Sequence, residues 1–127
     1  MAKKISYKRI NKGKYKYELT KTYSIAVNLK ESATVVGYIL LNGGLLKIYP
    51  TYQWDGCSGP TWDDKTNMRA GLVHDVLYQL MCEKKLNKKY RKYADDLFYK
   101  ILRQDGMPIW RAKYYWLGVR MAGWYFV

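Results

Sequence analysis

Val35-Val36-Gly37-Tyr38-Ile39-Leu40-Leu41-Asn42-Gly43-Gly44-Leu45-Leu46-Lys47-Ile48-Tyr49 is the stretch on which the fold turns. Two apolar, strand-forming runs flank Asn42-Gly43-Gly44, and residues of that kind supply the positive φ angles of a tight turn, so the segment reads as a hairpin. Upstream, Tyr15-Lys16-Tyr17-Glu18-Leu19 alternates, and Tyr23-Ser24-Ile25-Ala26-Val27 is β-branched and aromatic, which extends the β reading over residues 13–50. Pro50 closes it, because proline has no N–H to give to a ladder. Residues 51–66 then hold Gly56, Gly59, Pro60 and several aspartates, the composition of a shaped loop.

From Asn67 the apolar period lengthens from two to about 3.6. Ala70, Val73, Leu77, Leu80 and Met81 form one stripe in residues 67–83, and Tyr90, Ala94, Leu97, Phe98 and Ile101 form a second in 89–104. Pro108 is well placed to open a third helix over 108–124, with Ile109, Trp110, Tyr114, Leu117 and Met121 as its apolar set. The short link after the first helix makes the first two antiparallel neighbours with facing stripes. The expected architecture is α+β: a small amino-terminal antiparallel β meander or hairpin followed by three helices. A length of 127 residues suits a single domain. Its parts are a basic segment (1–12), a β half (13–50), a motif loop (51–66) and a helical half (67–127).

Lysine and arginine number 23 against 10 acids, a net charge of +13. Such a surface attracts polyanions: nucleic acid, anionic membrane lipid or an acidic protein. The Lys-Tyr interleaving of residues 3–23 suits nucleic acid, with tyrosines to stack and lysines to neutralise phosphate. Aromatics make up 17% of the chain, far from the composition of a disordered polypeptide. Cys57 and Cys82 are too few for a disulfide scaffold, and no Cys-x-x-Cys pair marks a structural zinc site. The amino terminus has no apolar core of a signal peptide, and no apolar run approaches the roughly eighteen residues of a transmembrane helix. A soluble protein made in the cytoplasm is expected.

His74 is the only histidine, and it borders the first apolar stripe with Tyr78 one turn further on. Imidazole exchanges a proton near neutrality, so a carboxylate that fixes its tautomer makes it a general base. Asp95 borders the second stripe, and antiparallel packing brings it to His74. The same position also suits a core histidine held by a hydrogen bond. Asp75 lies about 100° round the helix from His74 and faces the motif loop, whose Asp55, Asp63 and Asp64 carboxylates and backbone around Gly56 are oxygen donors suited to a hard cation. The loop also holds Cys57 and Ser58, either of which His74 would activate as a nucleophile with Asp95 orienting the ring.

The order Asp55-Gly56-x-Ser58-x-Pro60, His74-Asp75-x-Leu77-Tyr78, Ala94-Asp95-x-x-Phe98 and Gly106-Met107-Pro108 up to Trp110 resembles a family of uncharacterised proteins common in bacteriophage and prophage genomes. The likeness spans about Leu45 to Tyr125 and implies a phage-encoded protein of the host cytoplasm or the virion, without an activity. The helix pair is also similar to that of the phospholipase A2 superfamily, especially its viral capsid type, with His-Asp-x-x-Tyr on one helix and Ala-Asp on the next. That resemblance implies His74 as the base activating water, Asp95 as its orienting partner, Tyr78 as a hydrogen-bonding support and Asp75 as a calcium carboxylate. The loop departs from the superfamily's Gly-x-Gly core. Three kinds of function stand as expectations: a calcium-assisted hydrolase of phospholipid or another ester, a non-catalytic virion or tail-associated component bound to other phage structural proteins, and, third, a nucleic-acid-binding protein.

Overall fold

The computed structural model describes residues 4–12, 15–54 and 64–122. An amino-terminal region of antiparallel strands in two sheets is followed by three helices, the α+β arrangement that the change of period predicts. The chain divides into two compact units, residues 1–55 and 56–127.

The first unit contains seven strands: β1 (Tyr7–Lys12), β2 (Tyr15–Leu19), β3 (Tyr23–Ala26), β4 (Ala33–Val35), β5 (Ile39–Asn42), β6 (Leu45–Ile48) and β7 (Gln53–Trp54). One sheet has the order β1-β2-β7 and the other β3-β6-β5-β4, with every pairing antiparallel. The expected hairpin is β5–β6, and its two-residue loop places both Gly43 (φ 59°) and Gly44 (φ 76°) in the left-handed region that a primed turn requires. Ile39 faces Ile48 and Leu41 faces Leu46 across it. All four are fully buried, so this period-two face carries a large part of the unit's core.

Three details differ from the expectation. The run from Val35 to Leu41 is two strands, because Gly37 (φ 85°) forms a turn closed by a 2.9 Å bond from the Tyr38 amide to the Val35 carbonyl. Residues 7–12 of the basic segment form β1 along the edge of a sheet, where the exposed Lys8 and Arg9 face water without opposing a core. Gln53 and Trp54, within the expected loop, pair with Glu18 and Tyr17 of β2; two residues are too few to show a period. Trp54 is buried there against the rings of Tyr7 and Tyr17.

The second unit holds α1 (Met68–Cys82), a 3-10 turn (Lys88–Tyr90), α2 (Arg91–Gln104) and α3 (Ile109–Ala122). Arg69, at the start of α1, makes a bidentate pair with Asp105 and a 2.8 Å bond to Gln104 at the end of α2. Tyr78, near the end of α1, reaches Asp95 near the start of α2, so the two helices are antiparallel. α2 ends in a Schellman arrangement: Gly106 takes φ 100° and its amide bonds the Arg103 carbonyl, while the Met107 amide bonds that of Leu102. The chain then turns into α3 through Pro108, whose missing N–H costs nothing in the first turn. α1 closes in the same manner with Lys84 (φ 59°) in the left-handed position.

The apolar set of the third helix faces outward. Ile109, Trp110, Tyr114, Leu117 and Met121 are all exposed, and the buried side chains are Ala112 and Tyr115. Among the described residues no helix is long and apolar enough to cross a membrane.

Candidate active site

Asp95 organises the helical unit. It lies in the first turns of α2, on the buried side with Ala94 and Phe98, and is inaccessible to solvent. A bare carboxylate in such a place is costly unless its lone pairs are filled. Oδ1 takes a 2.7 Å bond from His74 Nε2 and a 2.6 Å bond from the Tyr78 hydroxyl, both from α1. Oδ2 takes a 2.9 Å bond from Arg120 Nη1 of α3, with Arg91 Nη1 at 3.6 Å. Burial alone pushes the carboxyl up; the hydrogen bonds from His74, Tyr78 and Arg120 outweigh it and hold the group below its ordinary value of 3.8.

An ionised Asp95 only accepts hydrogen bonds, so the proton in the 2.7 Å contact sits on Nε2 of His74. In the neutral ring the lone pair is then on Nδ1, which has no hydrogen-bond partner among the described residues. The ring is stacked at 4.1 Å from Tyr78 and 4.9 Å from Phe98, and is 8% exposed. Burial and the bond to Asp95 push the Tyr78 phenol far above its ordinary value, so it remains a donor. The result is an imidazole of fixed tautomer and orientation, with one nitrogen engaged and the other carrying a lone pair.

Asp75, the next residue on α1, is partly exposed, as its position off the apolar stripe predicts. Asp55, Gly56, Cys57, Ser58 and Asp63 lie outside the described residues. Among the described residues no group of three or more His, Cys, Asp or Glu side chains gathers as a metal cluster. Asp64 uses Oδ1 for the amide and hydroxyl of Thr66 and Oδ2 for a 2.9 Å pair with Arg111. Arg111 also bonds the Tyr115 hydroxyl, so this second cluster fastens the start of α3 to the approach to α1.

The two arginines on Asp95 are absent from the sequence reading. Arg91 was detectable, since a cation four residues before a carboxylate shares its helix face. Arg120, 25 residues away on another helix, has no local signal. Asp96, adjacent to Asp95 but pointing elsewhere, bonds Lys92 and the Trp116 indole instead.

These features define an α+β protein whose helical unit encloses a buried histidine–carboxylate pair. Residues 50–119, just over half of the chain, match the family described as "Protein of unknown function (DUF1353)", and the chain belongs to that family. The matched segment contains His74, Asp75, Tyr78 and Asp95, and leaves out β1 to β6. No curated protein and no solved structure matches the chain.

Proposed function

We infer that the protein is an ester hydrolase in which His74 is the general base, with phospholipid as the leading substrate class. The observation carrying this reading is the arrangement on Asp95: Nε2 of His74 bonded at 2.7 Å to a carboxylate that also holds Tyr78, with Nδ1 left a lone pair. Nδ1 takes a proton from water as the water oxygen bonds to the ester carbonyl carbon. The resulting imidazolium donates through Nε2 to Asp95, whose charge stabilises it, and returns the proton to the alcohol oxygen as the carbon–oxygen bond breaks. Asp95 and Tyr78 act as positioning residues, since neither needs to touch the ester. Asp75 is an oxygen donor of the kind calcium takes, with the Asp55 carboxylate and the Gly56 carbonyl as further donors from the motif loop. Calcium held by these residues would supply positive charge to the ester carbonyl oxygen. The motif likeness to phage and prophage proteins supports a role in the infected cell or the virion.

The second reading is a non-catalytic virion or tail-associated component. It is favoured by Arg120 of α3, which together with His74 and Tyr78 of α1 makes Asp95 a tie between three helices as much as a partner for a base. Hydrolysis of phospholipid and of a soluble short-chain ester, with calcium and with chelator, separates the two. Activity that needs calcium and disappears in His74→Ala of unchanged fold supports the hydrolase. No activity with any divalent metal, combined with a large fall in melting temperature for His74→Ala, assigns the cluster to stability.

A further inference from the structure

We propose that the outward face of α3 is a docking surface for anionic lipid. Its four central side chains, Trp110, Tyr114, Leu117 and Met121, follow one another at spacings of four, three and four residues and so share one narrow stripe. They are 71%, 57%, 51% and 65% exposed. The buried residues Ala112 and Tyr115 lie on the opposite side of the helix, so the stripe points directly at solvent. A contiguous apolar face of this kind on a water-exposed helix marks an interaction site, where isolated exposed residues need no explanation.

Charge selects the occupant. α3 contains no acidic residue; its Arg111 and Arg120 are paired with Asp64 and Asp95, and Lys113, next to Tyr114, is exposed. Lys88 and Lys89, in the turn before α2, are exposed and add positive charge to the same helical unit. An apolar face rich in Trp and Tyr with cations beside it is the composition of a helix lying in the headgroup layer. A second copy would bring another +13 against the first.

The inference stands apart from the hydrolase reading, because no residue of the stripe touches His74 or Asp95 and binding needs no turnover. The test is co-sedimentation of the full chain with vesicles of phosphatidylcholine alone and with phosphatidylglycerol added, at low and high salt. Trp110→Ser/Leu117→Ser and His74→Ala are run beside the wild type, with melting temperature and soluble-ester hydrolysis recorded for each. The expected result is binding to the anionic vesicles that weakens with salt, persists in His74→Ala, and falls by more than about tenfold in the double variant at unchanged melting temperature. Equal binding by the double variant, or no binding of the wild type to anionic vesicles, overturns the proposal. So does a wild-type dimer that the double variant splits, which would give the face to a second copy.

Discussion

Helices α1 and α3 are nearly equal in length, 15 and 14 residues, and both carry apolar side chains around much of their circumference. They meet opposite fates. α1 buries all but Asp75, Gln79 and Cys82, whereas α3 buries two residues and turns its largest apolar ones to water. Spacing identifies which side chains share a face, but the polar residues choose which face goes inward. On α3, Arg120 bonds Asp95, Trp116 bonds Asp96 and Arg111 bonds Asp64; together these anchors hold the Ala112–Tyr115 side against the unit and leave the Trp110–Met121 stripe outside. The lesson is that an apolar stripe on a helix in a small basic protein is an invitation to look for its partner before counting it as core.

The contrast breaks most severely at Asp95, the point where α1 and α3 share a partner. Asp95→Ala strands two arginines, the His74 N–H and the Tyr78 hydroxyl, and is expected to lower unfolding free energy by roughly 3–5 kcal/mol in urea denaturation. A smaller effect comes from comparing one chemical change on the two helices. Leu77→Ala in fully buried α1 is expected to cost about 3 kcal/mol, and Leu117→Ala in α3 less than about 0.5 kcal/mol. Similar losses at both sites would mean that α3 is covered.

Acid sharpens the picture next. The Asp95 carboxyl is held below its ordinary value in the folded protein, so the unfolded chain binds the proton first as pH falls. Its contribution is therefore complete above the unfolded value of 3.8 and is lost as pH drops through the lower folded one. Urea midpoints taken from neutrality down to strong acid should fall in that window, and Asp95→Asn, already weakened at neutrality, should lack that part of the fall. A gain of stability is expected where α1 ends. Lys84 adopts a left-handed conformation that glycine takes without strain, so Lys84→Gly should raise stability by about 0.5–1 kcal/mol in a thermal melt.

Much of this was readable from residues alone, for reasons that explain the exceptions. Asn42-Gly43-Gly44 is a strong signal because its geometry is local, and the turn appears where expected. The turn at Gly37 is hidden by the valines around it, which look like continuous strand. β1 is obscured because an edge strand tolerates charge, and β7 because it is two residues long. The His74–Asp95 contact was foreseeable, since each residue borders its own stripe and a short link makes the helices antiparallel. Arg120 on the same carboxylate was not, because its placement depends on which side of α3 faces inward.

The convergence of three helices on one carboxylate also bears on how the unit opens. A hydrogen-bonded node of this kind resists piecemeal fraying: α1 cannot lift away without stranding His74 and Tyr78, and α3 cannot leave without stranding Arg120. Their backbone amides should accordingly exchange with solvent deuterium through one shared opening. Removing Asp95 should split that single event into separate ones, with α3 becoming the first to lose protection.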